Sequence, residues 1–97
     1  MPVKSYRLSP LAADDLEEIW LYTLRQWSLA QADSYLRTLV AAFEELAAGQ
    51  KQSRKVEARP GYLKCTVGSH VIFLRDQGDR LEIIRILHQK QDAEHHI

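Results

Sequence analysis

Leu81-Glu82-Ile83-Ile84-Arg85-Ile86-Leu87-His88 is an apolar strand that ends in a basic residue and an imidazole. The turn residues Gln77-Gly78-Asp79-Arg80 lead into it and a polar tail follows it. Isoleucine and leucine dominate the run, as a pleated and buried surface requires. Two more short runs lie just upstream: Tyr62 to Val67, closed by Gly68-Ser69, and His70 to Asp76. Three short strands joined by tight turns predict an antiparallel meander. Working outward to the start of the chain, Val3 to Ser9 alternates Val3, Ser5 and Arg7 with Lys4, Tyr6 and Leu8. That period of two predicts a fourth strand, short and at an edge.

Between the first strand and the meander the period changes to that of a helix. Ser9 can cap a helix and Pro10 suits its first position. Asp14, Asp15, Glu17 and Glu18 crowd the early turns, where the helix dipole favours anions. Leu16, Ile19, Trp20, Thr23, Leu24 and Trp27 form its apolar stripe. Ser28 interrupts and caps a second helix. That helix carries Ala32, Tyr35, Leu36, Leu39, Val40, Phe43, Leu46 and Ala47 on one face and stops at Gly49. So short a connection predicts a helical hairpin. Gln50 to Gly61 is polar, closes on Pro60-Gly61, and reads as a loop. The expected fold is α+β: an antiparallel sheet with a helical hairpin on one face, in the order β-α-α-β-β-β.

The strands hold one anomaly. Val71 to Leu74 is continuously apolar, and so are Ile83, Ile84, Ile86 and Leu87. A sheet with one wet face should alternate. One hairpin covers only one face. Either the first strand, the loop and the tail cover the other, or it is a groove that awaits a partner.

Length and composition narrow the class. The chain has 97 residues, which predicts one domain over 1–97, with 89–97 a flexible polar tail. Hydrophobic residues make up 45% and charged residues 27%, a globular composition. The formal net charge is zero, which disfavours a uniformly basic nucleic-acid binder and leaves room for a local basic patch. Cys65 is the one cysteine, so it has no internal disulfide partner and reads as a small buried residue. Met1 to Ser9 holds no apolar leader, and no stretch is long enough to span a membrane. A cytoplasmic location is expected.

The residues that carry chemistry gather near the meander. Arg75 and Arg85 fall in adjacent strands, His88 ends the last, and Arg59 and Lys64 lead into and occupy the strand before them. Together they can form a basic cluster on one face or rim, able to bind phosphate, with His88 as an acid or base. The plainer reading is a set of solvated or paired arginines, with Glu82 or Asp76 as partners, and a hydrogen-bonded structural histidine. Trp20 and Trp27 lie on the helical stripe, where core packing is the default. Trp27, near the helix end, can also reach a partner. His95-His96 alone makes no metal site. No phosphate-binding glycine loop, serine triad or cysteine–histidine pair is present, so no cofactor is expected.

Order and spacing along the chain resemble the ParE/RelE superfamily of bacterial toxins, and the ParE branch more than the RelE branch. The resemblance rests on Tyr6-Arg7-Leu8-Ser9-Pro10-Leu11-Ala12, on Asp14 to Trp20 with Tyr22, on Arg59-Pro60-Gly61-Tyr62, and on Arg85-Ile86-Leu87-His88 followed by Gln91-Asp92. It implies the toxin of a type II toxin–antitoxin module that arrests bacterial growth. ParE-like members poison DNA gyrase and lack a nuclease set. RelE-like members are ribosome-dependent messenger-RNA endonucleases, often with a tyrosine after the last strand. This chain has no tyrosine beyond Tyr62. Both kinds imply a neighbouring antitoxin, here ParD-like, that wraps the toxin and represses the operon through its own DNA contacts. The expected partner-binding residues are Trp27, Arg59, Lys64, Arg75, Arg85 and His88, with no catalytic residue. The alternatives are a RelE-like endonuclease using Arg59, Lys64, Arg75, Arg85 and His88, and a small adaptor without toxicity.

Overall fold

The structure, a computed structural model, describes residues 4–91. Its elements are β1 (Ser5–Leu8), α1 (Pro10–Gln26), α2 (Leu29–Ala47), β2 (Arg54–Lys55), β3 (Leu63–Val67), β4 (His70–Asp76) and β5 (Arg80–His88). The strands form a five-stranded sheet in the order β1-β5-β4-β3-β2. Two features differ from the sequence expectation. β1 pairs with β5 in parallel, so the sheet is mixed. The loop before the meander contributes a two-residue strand, β2, antiparallel to β3. Alternation reveals that a run is a strand, and nothing in it reveals the direction of a neighbour more than seventy residues away.

Both helix starts follow their caps. Ser9 is extended and its Oγ accepts the Ala12 N–H at 3.0 Å, with Pro10 at the first helical position. Ser28 does the same for α2 through the Gln31 N–H at 3.0 Å. The first turn of α1 holds no acid; Asp14 begins the second turn. The expected dipole stabilisation by the acidic run is therefore weak, because it fades beyond the first turn. α2 ends in a Schellman motif. Gly49 has φ +75°, its N–H reaches the Leu46 carbonyl, and the Gln50 N–H reaches the Glu45 carbonyl.

The helix-side core joins Leu39, Phe43 and Leu46 of α2 to Ile72, Leu74, Ile83 and Ile86 of the sheet. Tyr6 of β1 packs its ring against Phe43 at 5.5 Å between centroids. α1 gives this core less than its stripe suggests. Ala12 is its one fully buried residue, and Leu16, Ile19 and Trp20 are half-buried.

The opposite face explains the doubled apolar runs. Phe73 and Leu87 are buried there, under Val56, from the segment that reads as loop, and Tyr62, which the sequence reading put at the start of a strand and which lies just before β3. That face is a second small core and not an open groove. The bond from the Val56 N–H to the Tyr62 carbonyl (2.9 Å) closes the covering segment on itself.

β5 contains a one-residue bulge. Leu74 faces Ile83 but Phe73 faces Arg85, so Ile84 is the extra residue. A bulge reverses the facing of every residue beyond it. Strict alternation would have put Arg85 on the core side with Ile83. The bulge turns Ile86 to the helix-side core instead and Leu87 to the far face. Ser9 holds it in place: its N–H donates to the Ile83 carbonyl at 2.9 Å and its Oγ to the Ile84 carbonyl at 2.7 Å.

Candidate functional site

The expected basic cluster divides in two. Leu63 and Cys65 point into the helix-side core, so Lys64, between them, faces the far side with Phe73. Arg75, two residues beyond Phe73, shares that side. The guanidinium of Arg59 lies 4.8 Å and that of Arg75 5.4 Å from the centre of the Tyr62 ring. Arg59, Tyr62, Lys64 and Arg75 thus form a cationic patch around one tyrosine.

Arg85 does not join them. It lies beyond the end of β1, where α1 runs past the edge of β5. There Asp15 accepts from Arg85 Nε at 2.8 Å, from Arg85 Nη2 at 3.0 Å, and from the Ile86 backbone N–H at 2.9 Å. The pair is mostly buried, with side chains 22% and 14% exposed for Arg85 and Asp15. The bond to Asp15 raises the Arg85 pKa further, against the opposing effect of burial. Asp15 therefore does two things: it neutralises the arginine and it satisfies a strand-edge donor that has no strand to meet. Sequence reading proposed Glu82 or Asp76 as arginine partners. Asp76 instead binds Lys4 at 2.7 Å. Asp15 was one acid among four in α1, and nothing local marked it out.

His88 completes a different cluster. It is the cross-strand partner of His70, and the two rings meet edge to face at 5.3 Å. His70 Nδ1 lies 2.6 Å from the Tyr35 hydroxyl, which also accepts the Ser69 N–H at 3.1 Å. Gly68 makes room for this. It has φ +57°, and a Cβ there would lie 2.7 Å from the Tyr35 oxygen. Sequence reading named His88 and missed His70 and Tyr35. The bulge is what puts His88, rather than Leu87, opposite His70.

Burial first, and then the His88 ring, hold His70 below the ordinary histidine value of 6.5, with Asp15 opposing. The unfolded chain then takes up a proton at this position before the folded chain does. Its contribution to stability is present above about pH 6.5 and is lost as pH falls through the depressed folded value. His70→Gln should flatten part of the acid slope in melting temperature between pH 8 and pH 5. An unchanged slope would contradict this account.

Asp15, Arg85, His70 and His88 line an open cleft of about 410 Å³ between α1 and the end of β5, with Tyr22 and Gln91 at its rim. Trp27 stands nearby with Tyr22 around a second hollow that shares His70 and His88. Trp27 is 75% exposed and Tyr22 64%. α1 ends at Gln26, and Trp27 leaves the helix with φ −130°, which turns its side chain off the core stripe. The default core reading of Trp27 is thereby corrected. Cys65 is buried, and burial pushes its thiol pKa up, as expected of an inert core residue. Among the described residues, no group of three or more metal-binding side chains is assembled; His95 and His96 lie outside them. Among the described residues, no helix is long and apolar enough to cross a membrane. Of the tail expected to be flexible over 89–97, Gln89 donates its N–H to the Ser69 carbonyl and its Nε2 to the Gly68 carbonyl, and 92–97 lies outside the described residues.

The family whose sequence pattern matches is the ParE toxin of the type II toxin–antitoxin system parDE, over residues 6–93. The chain belongs to this family. It is 44% identical to Toxin ParE1 of Caulobacter vibrioides over 98% of this chain and 99% of that protein. It is 42% identical to Toxin ParE1 of Mycobacterium tuberculosis over 95% of this chain and 96% of that one. The fold is shared more widely. The chromosomal ParDE system of P. aeruginosa contains a chain that superposes with a TM-score of 0.78 at 23% identity, covering 89% of this chain and 96% of that one. The RelBE2 toxin–antitoxin complex of Mycobacterium tuberculosis contains one at 0.67 and 19%, covering 92% and 94%. This chain thus shares its α+β fold with chains of both a ParDE system and a RelBE complex, as the sequence resemblance implied.

Proposed function

We propose that this chain inhibits DNA gyrase by binding it in the cytoplasm, and that a cognate ParD-like antitoxin neutralises it and represses their operon. The observation that carries the reading is the match to ParE toxins along nearly the whole chain. The geometry supports a binding inhibitor over a nuclease. Cleaving RNA requires phosphate-binding cations and proton-transfer groups around a single phosphate. Here Arg59, Lys64 and Arg75 lie on the far face, Arg85 is held by Asp15, and His88 opens on the helix side.

The test is a plasmid-supercoiling assay with purified gyrase, with and without the antitoxin, beside messenger-RNA cleavage on ribosomes. Loss of supercoiling that the antitoxin restores supports the reading. Untouched gyrase together with site-specific cleavage of messenger RNA would establish the RelE-like alternative instead.

Trp27 is the strongest single candidate for a partner contact, being a large aromatic side chain left outside the core. Trp27→Ala should leave stability within about 0.5 kcal/mol, since little is buried. It should weaken antitoxin or gyrase binding by about 2 kcal/mol, roughly 30-fold. Titration calorimetry with each partner checks this, and unchanged affinity for both would remove Trp27 from the interface.

A further inference from the structure

We propose that the sheet face away from the helices carries a binding surface for the phosphodiester backbone of DNA, built from Arg54, Lys64 and Arg75 with Arg59 against Tyr62. Charge is unevenly placed along the chain. The formal net charge is zero, yet the two helices hold seven acidic side chains against two basic ones, while residues 48–91 hold nine basic against four acidic. The helices cover one side of the sheet, so that side is negative and the excess of cations belongs to the strands and their loops. A polyanion is repelled by the helical side and drawn to the far face, which fixes how the protein meets it.

The register places the cations. Lys64 faces the far side, and Arg54 of β2 is its direct cross-strand partner, so both project from the same face. Two like charges directly opposite each other destabilise a strand pair, and an anion lying across both relieves that repulsion. Arg75 stands one strand further in, on β4, and Arg59 approaches the Tyr62 ring from the covering segment. Stacking engages the flat face of a guanidinium and leaves its remaining in-plane N–H groups to grip a phosphate. Arg54, Arg59 and Arg75 are exposed and Lys64 is half-buried. Glu82 sits between Arg75 and Arg7 in register, and Glu57 lies in the covering segment. Five cations against these two carboxylates leave the face positive.

Two observations favour a phosphate chain over other anions. The cations of β2, β3 and β4 step across neighbouring strands, about 5 Å apart, in a line and not a pocket. A line fits a polymer of anions better than one small anion. The apolar floor is also sealed, with Phe73 1% and Leu87 5% exposed beneath Val56 and Tyr62. A protein partner needs an apolar anchor seated in a pocket, and that floor is closed to one. A phosphate backbone needs only cations. This surface does not depend on gyrase being the target. With gyrase as the target, the far face would lie on DNA that the enzyme holds, leaving Trp27 and the cleft of His70 and His88 to the enzyme itself.

The experiment is fluorescence anisotropy of a labelled DNA duplex, titrated with the full-length protein over a range of salt concentrations. With one phosphate contact from each of the four cations, log affinity should fall against log salt with a slope of about −3.6, roughly a 150-fold loss between 50 mM and 200 mM. Arg54→Gln, Lys64→Gln and Arg75→Gln should each bring the slope about one unit closer to zero and weaken binding roughly tenfold at 50 mM salt. Arg37→Gln, on the exposed surface of α2, should change neither. Melting curves establish that each variant folds, and Arg54→Gln, on the exposed edge strand, carries the test if Arg75→Gln unsettles Tyr62. No anisotropy change at 50 mM salt with the protein at up to about 100 μM would overturn the proposal. So would a salt slope that the far-face variants leave unchanged. Polyglutamate that displaces the DNA at equal charge concentration would overturn it too, and would assign the face to an acidic protein segment.

Discussion

Phe73→Ala lowers the stability of the isolated chain by about 3–5 kcal/mol, the range for truncating a buried phenylalanine. Phe73 is 1% exposed, on the sheet face away from the helices. Its packing comes from Leu87 beside it and from Val56 and Tyr62 above it. If that face were instead an open groove, the ring would already be partly wet. Its loss would then cost little until a partner arrived. Urea denaturation separates the two cases on the protein alone. A loss below about 1 kcal/mol would mean that the covering segment does not seal the face. A loss in the expected range would mean that any partner must use the outside of that segment, including the patch around Tyr62, and not the apolar sheet beneath it. For a chain of this length the change corresponds to a drop of more than about 10 °C in melting temperature.

Asp15→Ala is expected to cost about 2–4 kcal/mol, although the residue is a charged side chain near the surface. The usual argument that surface ion pairs contribute little does not apply to it. Its carboxylate satisfies both Nε and Nη2 of Arg85 and the backbone N–H of Ile86, all at 3.0 Å or less. Alanine leaves a mostly buried guanidinium and a strand-edge N–H without acceptors, and an unpaired buried donor costs more than the bond contributed. Asp15→Asn should cost less than Asp15→Ala, since its oxygen can still receive the Ile86 N–H while the charge on Arg85 goes unanswered. Arg85→Lys should fall between wild type and Asp15→Ala, because one ammonium cannot reproduce two parallel bonds. Equilibrium unfolding of the three variants gives the order directly. An Asp15→Ala loss under about 0.5 kcal/mol would show that the network is decorative.

Read from its residues alone, this chain determined its strand and helix runs, its caps at Ser9 and Ser28, the stop at Gly49 and the tight turns of the meander. These depend on neighbours a few positions away, through spacing, hydroxyl caps and glycine's freedom at positive φ. The continuous apolar runs also signalled that both sheet faces are apolar, though not whether the chain itself or a partner covers the second. Tertiary structure decided the rest, because each remaining feature joins residues far apart in the chain. Val56, in a polar segment that reads as loop, and Tyr62, just before β3, cover Phe73. Asp15 meets Arg85 across seventy residues, and no local pattern distinguishes it from the other acids of α1. β1 lies parallel to β5, a direction that alternation does not encode. Above all, the extra residue Ile84 reverses the facing of the chain beyond it. It sends Arg85 to Asp15, turns Leu87 to the far face, and sets His88 against His70. The five basic residues Arg59, Lys64, Arg75, Arg85 and His88 were read from sequence as one neighbourhood. The bulge helps to divide them between two faces, because where a strand shifts register depends on its packing and not on its own sequence.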